Sequence, residues 1–360
     1  MPQTDSLRRR AILALVMVNL LWGISFPAMK ATNMIIAQHQ AAGQTAEPGT
    51  MAKSMAQVTA ACFLITVRFS IALALLGVFF PRLFGGLTRQ HWQMGAWTGL
   101  AFAAGFVLQI VGLNYVPASR SGFLTSLTVI FTPLATTAIE RRPPRWPVVW
   151  GAATALVGTA ILTGMIELSK PFGLRFANDA LSRIGPGDWL TAGAAIIFTL
   201  QILLIDRFSR RMPAGQLTPG MFAATLAIGI GVFSSGHMMQ PPKGGLSIWY
   251  GLLENGSFVS LILFMSIFCT VLAFYWMNKY QAHVTPAQAA LIYTLEPIFA
   301  TLWAMVLPGV ISSFTHLDYA SERPGWPLLV GGVLVVAGNA MALWPEPRKK
   351  KFDQPGHAHE

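Results

Sequence analysis

The chain of 360 residues is 54% hydrophobic and only 11% charged, against roughly 25% charged in an ordinary soluble domain, so its composition excludes a soluble globular protein. A net charge of +11 does not mark a nucleic-acid partner here, because Lys and Arg sit in short segments between apolar runs and form no basic face interleaved with aromatics. The two cysteines, Cys62 and Cys269, fall inside apolar runs and give neither a disulfide framework nor metal-ligand spacing.

Apolar runs of about 20 residues recur along nearly the whole chain, each long enough to cross a hydrocarbon core of about 30 Å. In lipid such runs must be helices, since only a helix satisfies its own backbone. Arg8, Arg9 and Arg10 precede the first run, 11–29, which is too long for a signal peptide and carries Trp22 and Pro27. A polar stretch to about Gln57 follows. Further spans are expected at 58–80, 92–113, 119–139 and 147–165, then at 189–206, 217–235, 258–279, 285–307 and 326–343. A longer outer loop lies around Lys170 to Arg183, and a basic tail, Arg348 to Lys351, ends the pattern.

The fourth and ninth spans are written alike. Asn114 precedes Pro133 as Asn278 precedes Pro297, with Ala118 over Ala282, Ser121 over Thr285 and Leu134 over Ile298. Trp146-Pro147 with Gly151 and Gly158 returns as Trp326-Pro327 with Gly331 and Gly338, after an insertion ahead of Trp326. Two matched registers indicate a tandem duplication, with halves at 11–165 and 187–344 and tails at 1–10 and 345–360. Five spans per half is an odd number, so the copies face opposite ways. The expected fold is all-α, ten transmembrane helices as two inverted five-helix repeats. Most of the 25 Lys and Arg residues fall on one side if the N-terminus is inside, which predicts both termini in the cytoplasm of a cell with the protein in its inner membrane.

Three motifs carry a family resemblance: Leu21-Trp22-Gly23-Ile24-Ser25-Phe26 in the first span, Arg68-Phe69 in the second, and Ala290-Leu291-Ile292-Tyr293-Thr294-Leu295-Glu296-Pro297-Ile298-Phe299-Ala300 in the ninth. Their order on a five-plus-five repeat resembles the EamA branch of the drug/metabolite transporter superfamily. The resemblance implies export or exchange of small organic solutes by alternating access through a central cavity, with the fifth and tenth spans packed to one side. The sequence departs from that pattern in the long stretches 30–57 and 309–325, and in an acidic residue that comes only at Glu322.

Arg68 counts to the middle of the second span, where a charge costs about 2.5 to 3.5 kcal/mol unless it finds water or a partner. Glu296 counts to the middle of the ninth. Two readings stay open and are compatible: a substrate or proton site at the midplane, or a structural ion pair. Glu296 paired with Arg68 serves as a proton carrier only if the pair opens during the cycle. Pro133 and Pro297 each remove a helical donor, freeing the carbonyls of Val129 and Tyr293, and the matched pair reads as hinges as well as packing features. Gly151 with Gly158, and Gly331 with Gly338, each share a helix face and are expected to bring the two matched helices together. Asn114, Asn278, Ser25 and Thr270 supply neutral polar groups in or beside the spans. Trp22, Gln109 and Tyr293 rank highest as cavity residues, because the resemblance puts their spans at the cavity.

The reading is therefore a carrier of a small organic metabolite, amino-acid-like or related, with a sugar or nucleotide-sugar exchanger as the alternative. Its partners are the solute and the bilayer, with proton coupling as an option, no nucleic acid, no cofactor, and a monomer or homodimer. An intramembrane enzyme lacks support, since no His-Glu-x-x-His, paired intramembrane aspartates or Gly-x-Ser-x-Gly is present.

Overall fold

The computed structural model describes residues 2–41, 50–141, 143, 146–162, 164–169, 173–176, 184–209, 211–212, 214–242, 244–281, 283, 292–323 and 325–342. The first half comprises α1 (Pro2–Ala41), α2 (Thr50–Phe79), α3 (Arg89–Gly112), α4 (Ala118–Thr125), α5 (Thr128–Glu140) and α6 (Trp146–Leu162). The second comprises α7 (Pro186–Ser209), α8 (Leu217–Met239), α9 (Ser247–Glu254), α10 (Gly256–Phe264), α11 (Ala273–Gln281), α12 (Glu296–Thr315) and α13 (Trp326–Ala342). Between the halves, β1 (Ile166–Ser169) and β2 (Gly173–Phe176) pair antiparallel with Ile166 opposite Phe176. This small hairpin is a departure from the expected all-α chain.

Eight of the spans so formed are long and apolar enough to cross a membrane, while α6 and α13, at 17 residues each, are shorter. The outer surface is correspondingly apolar, with Leu13, Val78, Leu156 and Val333 exposed, and Trp146, Trp189 and Trp326 exposed at helix starts, where tryptophan suits a membrane–water boundary.

Without water to drive helices together, close approach depends on small residues. A methyl group added at Gly151 would stand 2.5 Å from the Gly338 carbonyl oxygen, and one at Gly158 would stand 2.6 Å from that of Gly331. The two glycine pairs therefore interlock as their spacing predicts, and α6 and α13 run antiparallel. Likewise α2 and α8 run antiparallel, with Gly229 against Ile65 and Thr66 and Gly236 against Thr59. By contrast α3 and α8 run parallel, Gly95 meeting Gly220 and Gly99 meeting Met221 and Ala224. The main core, containing Phe69, Phe102, Phe222 and Phe258, forms where α1, α2, α3, α8 and the α10–α11 helix converge.

Three expected boundaries change. First, α1 continues to Ala41 and α2 begins at Thr50, eight residues before its expected start at Val58, so most of the polar stretch after Met29 is helix. Its polar groups are served internally: Lys30 Nζ donates to the Val116 carbonyl at 2.7 Å and Asn33 Nδ2 to that of Ile110 at 2.8 Å. Second, the fourth span breaks at Ser126–Leu127 into α4 and α5. Third, the ninth span breaks at Thr294–Leu295, and α12 starts at Glu296 and runs on to Thr315, eight residues past the expected end at 307. Residues 284–291, where that span was expected to begin, lie outside the described residues.

Candidate functional site

Arg68, three-hundredths exposed in the interior of α2, is held by a distorted stretch of the facing helix. Between α10 and α11 the helix is π-helical over Met265–Leu272, a winding that often marks functional sites. Thr270 Oγ1 donates to the Met265 carbonyl, 3.0 Å away and five residues earlier, and accepts from Arg68 Nε at 2.8 Å. Ser266 Oγ donates to the Arg68 carbonyl at 3.1 Å, so the π segment grips the residue by both backbone and side chain. Arg68 Nη1 donates to Ser25 Oγ of α1 at 3.3 Å and approaches Met265 Sδ at 3.8 Å. Its guanidinium carbon lies 5.2 Å from the centre of the Phe106 ring, a cation–π contact.

The expected partner is not there. Among the described residues the salt bridge is Arg120–Asp188, and none joins Arg68 to Glu296. The physical reason is the break at Thr294–Leu295: it puts Glu296 in the first turn of α12 and not at mid-helix, half-buried, while Arg68 turns toward neutral groups on α1 and the π segment. The structural ion-pair reading is thereby corrected.

Trp22 and Tyr293 do come together, their rings 5.9 Å apart, and Trp22 also lies 5.7 Å from Phe274. Phe274 in turn contacts Phe102 and Phe222 edge-on, and Phe69 meets Phe102, Phe106 and Phe222. The result is one continuous aromatic layer from Tyr293 to the ring beneath Arg68, fed by α1, α2, α3, α8 and α11. On the α7 and α8 side of Phe274, beside Met221 and Met277, the void is about 10 Å³, room for no more than a water. Gln109 is buried a turn beyond Phe106 and donates to Thr125 Oγ1 of α4 at 3.0 Å, a helix-to-helix bond. Asn114 is exposed in the turn after α3 and does not join the layer. Asn278 is helical in α11, and its side chain lies outside the described residues. A larger cleft, about 400 Å³, opens between the start of α3 and the end of α7 at Gln93, Trp97, Arg207 and Arg211, at the opposite end of α3 from Gln109. Among the described residues no cluster of three or more His, Cys, Asp or Glu is placed to hold a metal.

The two prolines differ. Pro133 lies inside α5, whereas Pro297 occupies the first turn of α12, where a missing N–H costs nothing. The interior proline of α12 is Pro308, which leaves the Ala304 carbonyl without its helical donor. That carbonyl is taken by the backbone N–H of Glu322 at 2.9 Å, because the chain reverses at His316, in the left-handed region (φ 55°), and runs back along α12. Gly309 N–H donates to Ser321 Oγ at 3.2 Å, fixing the same fold-back. The Glu322 carboxylate then accepts from the Ala118 N–H at 2.6 Å and bonds Ser119 Oγ, capping the start of α4 from the other half of the chain. Next to it Arg120 grips Asp188 at the start of α7 through two contacts of 2.7 Å. Tyr319 is buried in this fold-back; burial, and after it the Glu322 carboxylate, pushes its phenol above the usual range, so it stays a neutral hydroxyl. Neither Glu322 nor the π segment was singled out as functional from sequence. The acid's displacement was visible, but a carbonyl freed by Pro308 is a signal only once the chain is known to return.

A bundle of apolar helices with an apolar exterior and a buried layer of aromatic and polar side chains drawn from both halves defines a multi-pass membrane protein. The model of the EamA-like transporter family matches residues 48–164 and 185–344, and the chain belongs to that family, within the drug/metabolite transporter superfamily. It is 26% identical over 301 residues to an uncharacterized transporter of Archaeoglobus fulgidus, covering 83% of this chain and 79% of that one. A solved crystal structure of a protein shares the fold with a TM-score of 0.52 at 20% identity, over 93% of this chain and 96% of that one.

Proposed function

We propose that this EamA-family transporter is an inner-membrane secondary carrier that exports or exchanges a small organic metabolite, amino-acid-like or related, by alternating access. The observation that carries the reading is the aromatic layer around Arg68, to which both halves contribute and which the buried rings of Phe69, Phe102, Phe106, Phe222 and Phe274 fill. A static pore would have no use for it.

Alternating access in such a carrier follows from two five-span repeats, 11–165 and 187–344, inserted in opposite senses. Support comes from the equivalent helices α2 and α8, and α6 and α13, which pack antiparallel. The contacts also survive exchange of the halves. α1 packs on α12 as α7 packs on α4 and α5; α3 packs on α7 as the α10–α11 helix packs on α1; and α3 packs on α8 as that helix packs on α2. In this arrangement Trp22, Arg68, Gln109 and Tyr293 serve the solute, Glu296 is the candidate for proton coupling, and Pro133 and the break ahead of Pro297 are the hinges. Both termini are assigned to the cytoplasm.

Counterflow tests the carrier. Protein in liposomes preloaded with unlabelled solute should take up labelled solute faster than protein in empty liposomes, a response that neither an enzyme nor an open pore gives. Uptake indifferent to the trans solute across a metabolite panel would sink the carrier reading.

A further inference from the structure

Arg68 is a permanently charged group, and among the described residues nothing supplies a charge to balance it. Among the described residues it is the only buried Arg or Lys, and no carboxylate pairs with it. The other prominent cation of the bundle interior, Lys30, has the Val116 carbonyl and lies near Glu322. Burying an unpaired guanidinium is costly, and such residues in membrane helices mark solute paths.

Its neighbours hold it without neutralising it. Thr270, Ser25 and Met265 engage Nε and Nη1, while Nη2 has no partner among the described residues. Those contacts fix the plane of the fork, and Phe106 covers one of its faces. With Nε and Nη1 occupied, the guanidinium still presents the two N–H donors of Nη2 and an unbalanced positive charge, which suits a small anionic group such as a carboxylate. The walls beyond it, Phe106, Phe274 and Trp22, are aromatic and suit an apolar body.

We propose that Arg68 receives the carboxylate of the carried solute, whose apolar portion lies along the aromatic layer toward Trp22 and Tyr293. This rests on the carrier reading and narrows its substrate to organic molecules with a single anionic group. A nucleotide sugar, whose diphosphate brings two negative charges, exceeds what one guanidinium offsets, so the geometry disfavours that alternative.

The test uses the full-length protein in detergent and matched probes: 3-phenylpropionate against 3-phenylpropionamide and phenethylamine, and hexanoate against hexanamide. The carboxylates are expected to raise the melting temperature and the amides and amine to leave it unchanged. Arg68→Gln should weaken carboxylate binding by about tenfold to a hundredfold and erase the acid-over-amide preference, while Arg68→Lys, keeping the charge but not the fork, should retain part of it. Should Arg68→Gln fail to fold, the acid and amide pairs on the native protein and on Arg68→Lys still decide. Equal binding of acid and amide, no stabilisation by any carboxylate, or undiminished preference in Arg68→Gln overturns the proposal. Counterflow in liposomes separates this from the carrier reading: trans-stimulated exchange of amides or amines keeps the carrier and removes the carboxylate site, whereas carboxylate binding without exchange does the reverse.

Discussion

The bonds Arg68 makes predict how the protein responds to losing it. Had the guanidinium been paired with Glu296, removing it would strand a buried carboxylate at a cost of about 3 to 5 kcal/mol. It instead rests on hydroxyls, a thioether and a ring. Arg68→Met is therefore expected to fold with a stability within about 1 kcal/mol of the native protein while transport is lost, as read by melting temperature and by flux. A collapse in yield that Glu296→Gln rescues would restore the ion pair. The cost of Arg68 was legible from its place in an apolar run; its partners were not, because hydropathy says nothing about which face of α1 or of a π-wound helix lies opposite. The position of Glu296 was missed for a related reason: Thr294 and Leu295 carry no breaker signal, so the count treated the span as one helix. At the fold-back, Glu322→Ala removes the carboxylate cap of α4 and should cost about 0.5 to 2 kcal/mol. The Tyr319 hydroxyl beside it is buried with no partner among the described residues, so Tyr319→Phe should leave the melting temperature unchanged or higher. A clear loss in Tyr319→Phe would mean that the hydroxyl finds a bond in the membrane that it lacks here.

At the scale of elements, the glycine spacing was fully legible, since residues seven apart share a helix face and two such pairs stood at matched positions. What spacing could not tell is how tight the contact is. With backbone oxygens 2.5 to 2.7 Å from any added methyl, Gly158→Ala and Gly331→Ala should each push α6 and α13 apart and cost about 1 to 3 kcal/mol. Gly231→Ala, where nothing lies within 4 Å, supplies the control and should be neutral or slightly stabilising. Equal behaviour of the three variants would show that α6 and α13 are not in contact through their glycines. The prolines teach the converse lesson. Matching by sequence predicted matched roles, yet Pro133 sits inside α5 and Pro297 opens α12. Pro133→Ala returns a donor to Val129 and is expected to slow exchange at saturating solute with little change in affinity, and Pro297→Ala to do so much less. Should the two slow exchange equally, the break ahead of α12 is not the flexible point on that side.

For the whole molecule the duplication was the informative signal, because an odd number of spans per copy is what leads to the proposal that the two halves are inverted. The antiparallel packing of α2 with α8 and of α6 with α13 agrees with that proposal. Length was less legible: α1 and α12 overrun their expected ends because small and polar residues such as Thr32, Asn33 and Ser312 bond within the bundle instead of seeking water. The proposed orientation rests on the basic segments and is open to direct measurement. With Cys62 and Cys269 changed to Ala, single cysteines at Gln240 and Asp318 should react with an impermeant thiol reagent from outside intact cells, and those at Arg89 and Arg211 only after permeabilisation. Reversed labelling would invert the assignment of both termini.

The cap that Glu322 places on α4 spans a separation of 204 residues, and the grip of Thr270 on Arg68 spans 202. At about 5 to 20 residues per second, a ribosome needs roughly 10 to 40 s to make that much chain. Through that interval the first half sits in the bilayer with the amides of Ala118 and Ser119 uncapped and a guanidinium that has only Ser25 and the Phe106 ring of its final partners. Each half thus holds a pending debt that only the other half's arrival discharges, which makes the nascent first half, more than the finished protein, the form exposed to quality control.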